Sequence, residues 1–120
     1  MLKILKRVSK SGSFAIAGIR ATLRSEFMSR FYLAAYIIII IAAIFSGFSL
    51  VKWAIVIVAG SGVLAFELIN TGVEKAVDMY GEEHSELGAF AKDAAAGSVF
   101  LFAWSGILAI ILLFIDQYIH

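Results

Sequence analysis

Residues 53–78 read WAIVIVAGSGVLAFELINTGVEKAVD. The first half of this stretch is apolar enough to enter a lipid bilayer, whereas the second half carries carboxylates. At about 100° per residue in an α-helix, Glu67, Asn70, Glu74 and Asp78 lie at roughly 0°, −60°, −20° and +20° around the axis. The stretch therefore predicts a membrane helix with one narrow polar stripe along its last turns.

The composition of the whole chain is that of an integral membrane protein. Of its 120 residues, 62% are hydrophobic and the mean hydropathy is +0.95, whereas a soluble domain is about 45–50% apolar. The sequence has no Cys, which excludes disulfides and thiolate metal sites. It also has no Pro, so its helices can run unbroken.

Three apolar segments predict membrane spans, namely Phe31–Phe45, Trp53–Ile69 and Ala94–Ile115. A helix needs about 20 residues to cross a ~30 Å hydrocarbon core. Three segments cannot close a barrel, so each must be helical to satisfy its backbone in lipid. We therefore predict an all-α membrane protein, with residues 1–120 as a single membrane domain and membrane helices at about residues 31–47, 53–79 and 93–116.

The basic residues predict the orientation. Seven of the ten precede the first span: Lys3, Lys6, Arg7, Lys10, Arg20, Arg24 and Arg30. The positive-inside rule then places the N-terminus and the link between the second and third spans in the cytoplasm. We expect a multi-pass protein of the cell (inner or plasma) membrane.

Residues 1–30 are predicted to form a cytoplasmic surface helix. Within residues 12–28, the side chains of Ile16, Ile19, Leu23 and Phe27 share one face at helical spacing. The Lys and Arg residues of this segment are explained equally well by a simple electrostatic anchor on anionic lipid. Glu26 is not, because an acid is repelled by such a surface.

Glu67 is the residue that most needs a function. If the span begins near Trp53, Glu67 lies about 21 Å into a ~30 Å core. An ionisable group there costs on the order of 3 kcal/mol or more and is usually functional. Glu74 continues the stripe, while Asp78 is explained as well by a solvated helix end.

Lys92 and Asp93 open the third predicted span. One interpretation makes Lys92 an interfacial anchor and Asp93 the N-cap of the helix. The other makes Lys92 a phosphate ligand beside the positive helix end. In the preceding link, His84 is interpreted as a solvated loop histidine.

Two motifs carry a resemblance to a known family. ELINTGVEKAVD at residues 67–78 and AKDAAAGSV at residues 91–99 resemble the small prokaryotic diacylglycerol and undecaprenol kinases. The signature of that family runs roughly E-x-x-N-[ST]-x-[IV]-E-x-x-V-D, then a loop, then A-K-D. The family also has an upstream G-[IL]-R stretch followed by an acid, which Gly18-Ile19-Arg20 and Glu26 match. The Arg that diacylglycerol kinases carry before A-K-D is missing, and the Ala-Ala-Gly after it is closer to the undecaprenol branch, so the acceptor stays open.

The resemblance implies ATP with Mg²⁺, a membrane lipid alcohol as acceptor, and a homotrimer with active sites between subunits. It implies that Glu67 takes the proton of the lipid hydroxyl and that Asn70 orients that site. The implied metal ligands are Glu26 and Glu74. The implied nucleotide contacts are Lys92, Asp93, Asp78, Arg7 and Glu83, and the implied lipid contacts are Glu67 and Arg20.

The expected function is ATP-dependent phosphorylation of diacylglycerol to phosphatidic acid, with undecaprenol as the alternative acceptor. The depths of the two acids in the membrane suit a reaction between a lipid alcohol and a soluble nucleotide, because Glu67 lies about 10 Å deeper along the helix than Glu74. A small proton-coupled transporter with Glu67 as carrier is the alternative from another class, and a structural subunit is a third. The transporter gives no reason for Asn70, Glu74, Asp78, Lys92 and Asp93, and a structural subunit leaves the cost of Glu67 in the membrane unexplained. No nucleic-acid partner is expected.

Overall fold

Four α-helices make up the part of the chain that the computed structural model describes, residues 1–81 and 85–120. They are α1 (Leu2–Ser25), α2 (Phe27–Ser46), α3 (Leu50–Asp78) and α4 (Glu86–Ile119), and these residues include no strand. Helices α2, α3 and α4 are long enough to cross a membrane, with mean hydropathies of 2.1, 1.8 and 2.6 over their most apolar stretches. The predicted all-α membrane fold with three spans is confirmed.

The turn between α2 and α3 makes these helices antiparallel. Helix α2 ends at Gly47, whose φ of 67° is left-handed and whose N–H bonds to the carbonyls of Ala43 and Ile44. A glycine adopts this conformation without steric cost. Two residues later, the Ser49 hydroxyl accepts the Lys52 N–H at 3.3 Å and caps α3. The chain therefore reverses within three residues.

Glu26 occupies the break between α1 and α2, with an extended backbone at φ −111° and ψ 117°. The Arg30 guanidinium donates to the carbonyls of Leu23 and Arg24 at 2.8 and 3.0 Å and thereby caps the end of α1. Helix α1 begins at Leu2 and ends at Ser25, so the prediction that Phe27 continues the apolar face of the surface helix is wrong.

Helix α4 begins earlier than the hydropathy predicts. Its first residue is Glu86, and the Ser85 hydroxyl caps it by accepting the Gly88 N–H at 3.2 Å. The interpretation of Asp93 as the N-cap is therefore wrong. Lys92 likewise lies more than one turn inside the helix, away from the free N–H groups of the helix end.

Small residues on α3 receive large rings from both neighbouring helices. A Cβ atom on Gly60 would collide with the Tyr36 ring of α2, and one on Gly62 would collide with the Phe102 ring of α4. The Phe102 ring also packs against Phe66, with the centroids 5.2 Å apart. The two glycines therefore allow α2 and α4 to pack closely against α3.

A polar cluster ties α2, α3 and α4 together at the end opposite the acidic stripe. The Lys52 ammonium lies 2.8 Å from Asp116 Oδ2 and 2.8 Å from Gln117 Oε1. The Gln117 amide donates to the Ser46 carbonyl at 2.8 Å, and the Ser46 and Tyr118 hydroxyls are 2.6 Å apart. These contacts hold this end of the three-helix bundle together.

Candidate active site

The inner part of the stripe on α3 is buried. Glu67, Asn70 and Thr71 are 6%, 9% and 6% exposed. Further along the helix, Glu74 is half-buried and Asp78 is exposed. The stripe thus runs from the interior of the bundle out to solvent, which is the gradient expected for a site that joins a membrane substrate to a soluble one.

Three carboxylates lie in the same region of the structure. Those of Glu74 and Glu26 are both within electrostatic range of Glu67. Glu67 also lies within electrostatic range of the Tyr32 hydroxyl on α2. Like charges within electrostatic range repel one another, so a bound cation would stabilise the arrangement.

A divalent cation fits these residues if the substrate completes its coordination. Glu74 is oriented by Asn70, whose amide donates to Glu74 Oε1 at 3.3 Å. Among the residues that the structure describes, no group of three or more His, Asp or Glu side chains is arranged to hold a metal alone. Mg²⁺ commonly binds through one or two carboxylates plus substrate phosphates and water, and Glu26 and Glu74 match that requirement.

Lys92 reaches the outer end of the stripe from α4. Its ammonium lies 2.6 Å from Asp78 Oδ1, and the two side chains are 40% and 59% exposed. The predicted nucleotide contacts Lys92 and Asp78 are therefore brought together, on the solvent side of the three carboxylates. A groove beside them is lined by Tyr80, Gly81, Leu87 and neighbouring residues.

The remaining residues predicted for the site are less closely associated with the acidic stripe on α3. Asp93 and Arg20 are exposed, and Arg20 lines a shallow apolar groove between α1 and α2. Arg7 is exposed near the start of α1, about 28 Å along the helix axis from Glu26. Within one chain it does not reach the site. Glu83 and His84 lie outside the described residues.

Helix α2 carries a polar face that its hydropathy does not reveal. Ser29 is 3% exposed, and its hydroxyl has no hydrogen-bond partner among the described residues. Ser29, Tyr32 and Tyr36 recur at helical spacing of three and four residues. This spacing of polar residues on an otherwise apolar helix is the sequence feature that could have predicted the polar face.

An apolar groove begins beside this face and runs deeper into the bundle. It has a volume of about 190 Å³ and is lined by residues of α2, α3 and α4, among them Tyr32, Tyr36, Val63, Phe102 and Ile107. Tyr32 belongs both to the groove and to the surroundings of Glu67. Val63, which lines the groove, precedes the buried Glu67 by about one helical turn on α3, so an apolar space suited to a hydrocarbon chain lies near the carboxylate.

Comparison with known proteins gives a consistent result. The family described as prokaryotic diacylglycerol kinase matches residues 13–114. An undecaprenol kinase of Bacillus subtilis is 35% identical over 113 residues, covering 94% of this chain and 92% of the relative. A diacylglycerol kinase of Haemophilus influenzae is 30% identical over 110 residues, covering 87% of this chain and 93% of the relative.

The three-span fold, the buried carboxylate and these similarities together define an integral-membrane lipid kinase. Within that class, the chain belongs to the prokaryotic diacylglycerol kinase family. The two relatives are named for different lipid acceptors, so family membership establishes the class of enzyme and leaves the acceptor to be argued.

Proposed function

We propose that this protein transfers the γ-phosphate of ATP to the hydroxyl of a membrane lipid, with diacylglycerol as the first acceptor and undecaprenol as the alternative. The observation that carries the proposal is the position of Glu67. It is a carboxylate 6% exposed, about one helical turn from Val63 of the apolar groove on one side and about two turns from the half-buried Glu74 on the other. Phosphoryl transfer requires little beyond positioning and charge stabilisation, which this arrangement supplies.

Glu67 is proposed to take the proton of the lipid hydroxyl as the hydroxyl oxygen attacks the γ-phosphorus. A general base must lie within hydrogen-bond reach of that proton, and a lipid whose chain occupies the groove presents its hydroxyl at Glu67. Asn70 orients the site by holding the Glu74 carboxylate at 3.3 Å. Arg20, at the apolar groove between α1 and α2, is proposed to contact the lipid.

The nucleotide is proposed to approach from the solvent side. Lys92 binds its phosphates, while Asp78 and Asp93 support that contact, and Arg7 and Glu83 complete the set of nucleotide contacts. Glu26 and Glu74 would hold Mg²⁺, which neutralises charge on the phosphates when it is bound.

Homotrimeric assembly with sites between subunits belongs to the same proposal. Because Arg7 and Glu26 are about 28 Å apart along one straight helix, a site that uses both needs α1 of a second subunit. The N-terminus is proposed to lie in the cytoplasm of a cell whose inner or plasma membrane holds the protein, as the distribution of Lys and Arg indicates.

The test is a transfer assay with purified protein, ATP labelled at the γ-phosphate and excess Mg²⁺. Diacylglycerol and undecaprenol are supplied separately in detergent micelles, and labelled lipid phosphate is measured after extraction. The matched control is Glu67→Gln, which removes the base and preserves the shape of the side chain. Failure of the wild-type protein to label either lipid would exclude the proposed function.

A further inference from the structure

The Ser29 hydroxyl, like that of Thr71, has no hydrogen-bond partner among the described residues, unlike several other hydroxyls on the helices of this protein. Three of them donate to a carbonyl of the preceding turn: Thr22 to Gly18 at 2.8 Å, Ser61 to Ile57 at 2.6 Å and Ser98 to Ala95 at 2.6 Å. Such bonding is the usual way for a Ser or Thr to satisfy itself in a helix. Ser29 is the most buried of the buried polar residues at 3% exposure, and it has no partner among the residues described.

Helix register places Ser29 at the depth of Glu67. The Tyr36 ring packs on Gly60, and α2 and α3 are antiparallel. Ser29 precedes Tyr36 by seven residues and Glu67 follows Gly60 by seven, so both lie about 10 Å from that contact in the same direction. The proximity of Tyr32, one turn from Ser29 on the same face, to Glu67 supports this register.

The oxygen atoms of the acceptor decide whether Ser29 gains a partner. In the proposed reaction the lipid hydroxyl gives its proton to Glu67. Thr71, one turn toward solvent and also without a partner among the described residues, is a candidate second donor to that oxygen. A polyprenol has no other oxygen, so the Ser29 donor would stay buried and unpaired, which is unfavourable. A diacylglycerol carries ester carbonyls within a few bonds of its hydroxyl.

The groove is consistent with such an ester. An acyl chain continues from each ester carbonyl, so a carbonyl bound at Ser29 needs apolar space beside it. The groove of about 190 Å³ begins at Tyr32 and continues past Tyr36 and Val63. An acyl chain is therefore its expected occupant.

We propose that Ser29 donates a hydrogen bond to an ester carbonyl of the acceptor and thereby favours a diacylglycerol over lipid alcohols that lack ester oxygens. The inference rests on the proposed lipid kinase function, because it concerns the acceptor of that reaction. A site built to pair a substrate oxygen discriminates against analogues without it, since its own polar group is then left unsatisfied.

The experiment compares a diacylglycerol with a dialkylglycerol of the same chain length, which keeps the hydroxyl and replaces both esters by ethers. The ratio of the two kcat/KM values is measured for the wild type, Ser29→Ala and Ser29→Cys, which is close in size and only a weak donor. Ser98→Ala is the matched control, because its hydroxyl is satisfied within its own helix. Undecaprenol is a third acceptor.

The wild type should prefer the diacylglycerol about five-fold, the value of one hydrogen bond between neutral groups. Both Ser29 variants should lose most of that preference through a lower kcat/KM for the diacylglycerol, while Ser98→Ala keeps it.

Equal loss on both glycerolipids would mean a packing role and overturn the proposal, as would an unchanged ratio. Activity of the wild type on undecaprenol without activity on diacylglycerol would overturn this inference and leave the lipid kinase standing, whereas inactivity on every lipid would remove both.

Discussion

The Lys92 ammonium lies 2.6 Å from Asp78 Oδ1 and links the last turn of α3 to the second turn of α4. Both side chains are substantially exposed, at 40% and 59%. Exposed ion pairs stabilise proteins weakly and exchange partners easily. The contact therefore holds Lys92 at the outer end of the acidic stripe without preventing its transfer to a phosphate group.

Asp78→Asn should raise the KM for ATP about two- to five-fold, because the pair that orients Lys92 is a weak, exposed one. The kcat at saturating ATP should change little, since the substitution leaves Glu67 and its surroundings in place. Steady-state kinetics with varied Mg-ATP and fixed lipid measure both values. Lys92→Ala should raise the same KM further.

The two variants together separate two roles for Asp78. If it acts only by orienting Lys92, the double variant should be no worse than Lys92→Ala alone. If Asp78 contacts the nucleotide itself, the effects should add. A KM for ATP that is unchanged in Asp78→Asn would leave Asp78 as a solvated acid at a helix end.

Glu67→Gln should lower kcat about 10²- to 10⁴-fold, which is the usual contribution of a general base. The size of the protein in detergent should not change, because Gln keeps the volume of the side chain. Transfer assays and size-exclusion chromatography provide the two measurements. The control is Asp116→Asn, which removes a carboxylate near the C-terminal end of α4, at the opposite end of the bundle from Glu67. This variant should retain turnover. An active Glu67→Gln protein would exclude Glu67 as the base.

Glu74→Gln should raise the Mg²⁺ concentration required for half-maximal activity at fixed ATP by an order of magnitude or more. The substitution removes one of two proposed carboxylate ligands and keeps the Asn70 contact possible through the amide oxygen or nitrogen. Chelation of Mg²⁺ should abolish transfer by the wild type, and restored Mg²⁺ should recover it. A Glu74→Gln enzyme with an unaltered Mg²⁺ requirement would remove Glu74 from the metal site.

Much of the site follows from the periodicity of one helix. The angles of Glu67, Asn70 and Glu74 predict a shared face, and the order in which these residues become exposed follows from where the span begins. Such features are local, since they depend on the 3.6-residue repeat alone. The three spans are predictable for the same reason, because lipid requires long apolar helices.

Features that depend on contacts between helices were not predictable. Arg30 caps α1 across the break at Glu26, and Ser29 reaches the level of Glu67 only through the packing of Tyr36 on Gly60. The start of α4 was predicted too late, because the hydropathy rises only after Lys92, while the Ser85 cap begins the helix in a polar segment.

Lys52→Met should lower the thermal unfolding midpoint in detergent on the order of 5 °C without altering the KM for ATP. Only 15% of the Lys52 side chain is exposed, and its ammonium contacts Asp116 and Gln117 on α4. Methionine fills similar space but leaves both partners without their donor, and the midpoint can be followed by circular dichroism.

Asp116→Asn should have a smaller effect, because Asp116 is 60% exposed and water can replace its partner. Equal shifts for the two variants would show that the ion pair, and not the buried ammonium with its several acceptors, holds this end of the bundle together.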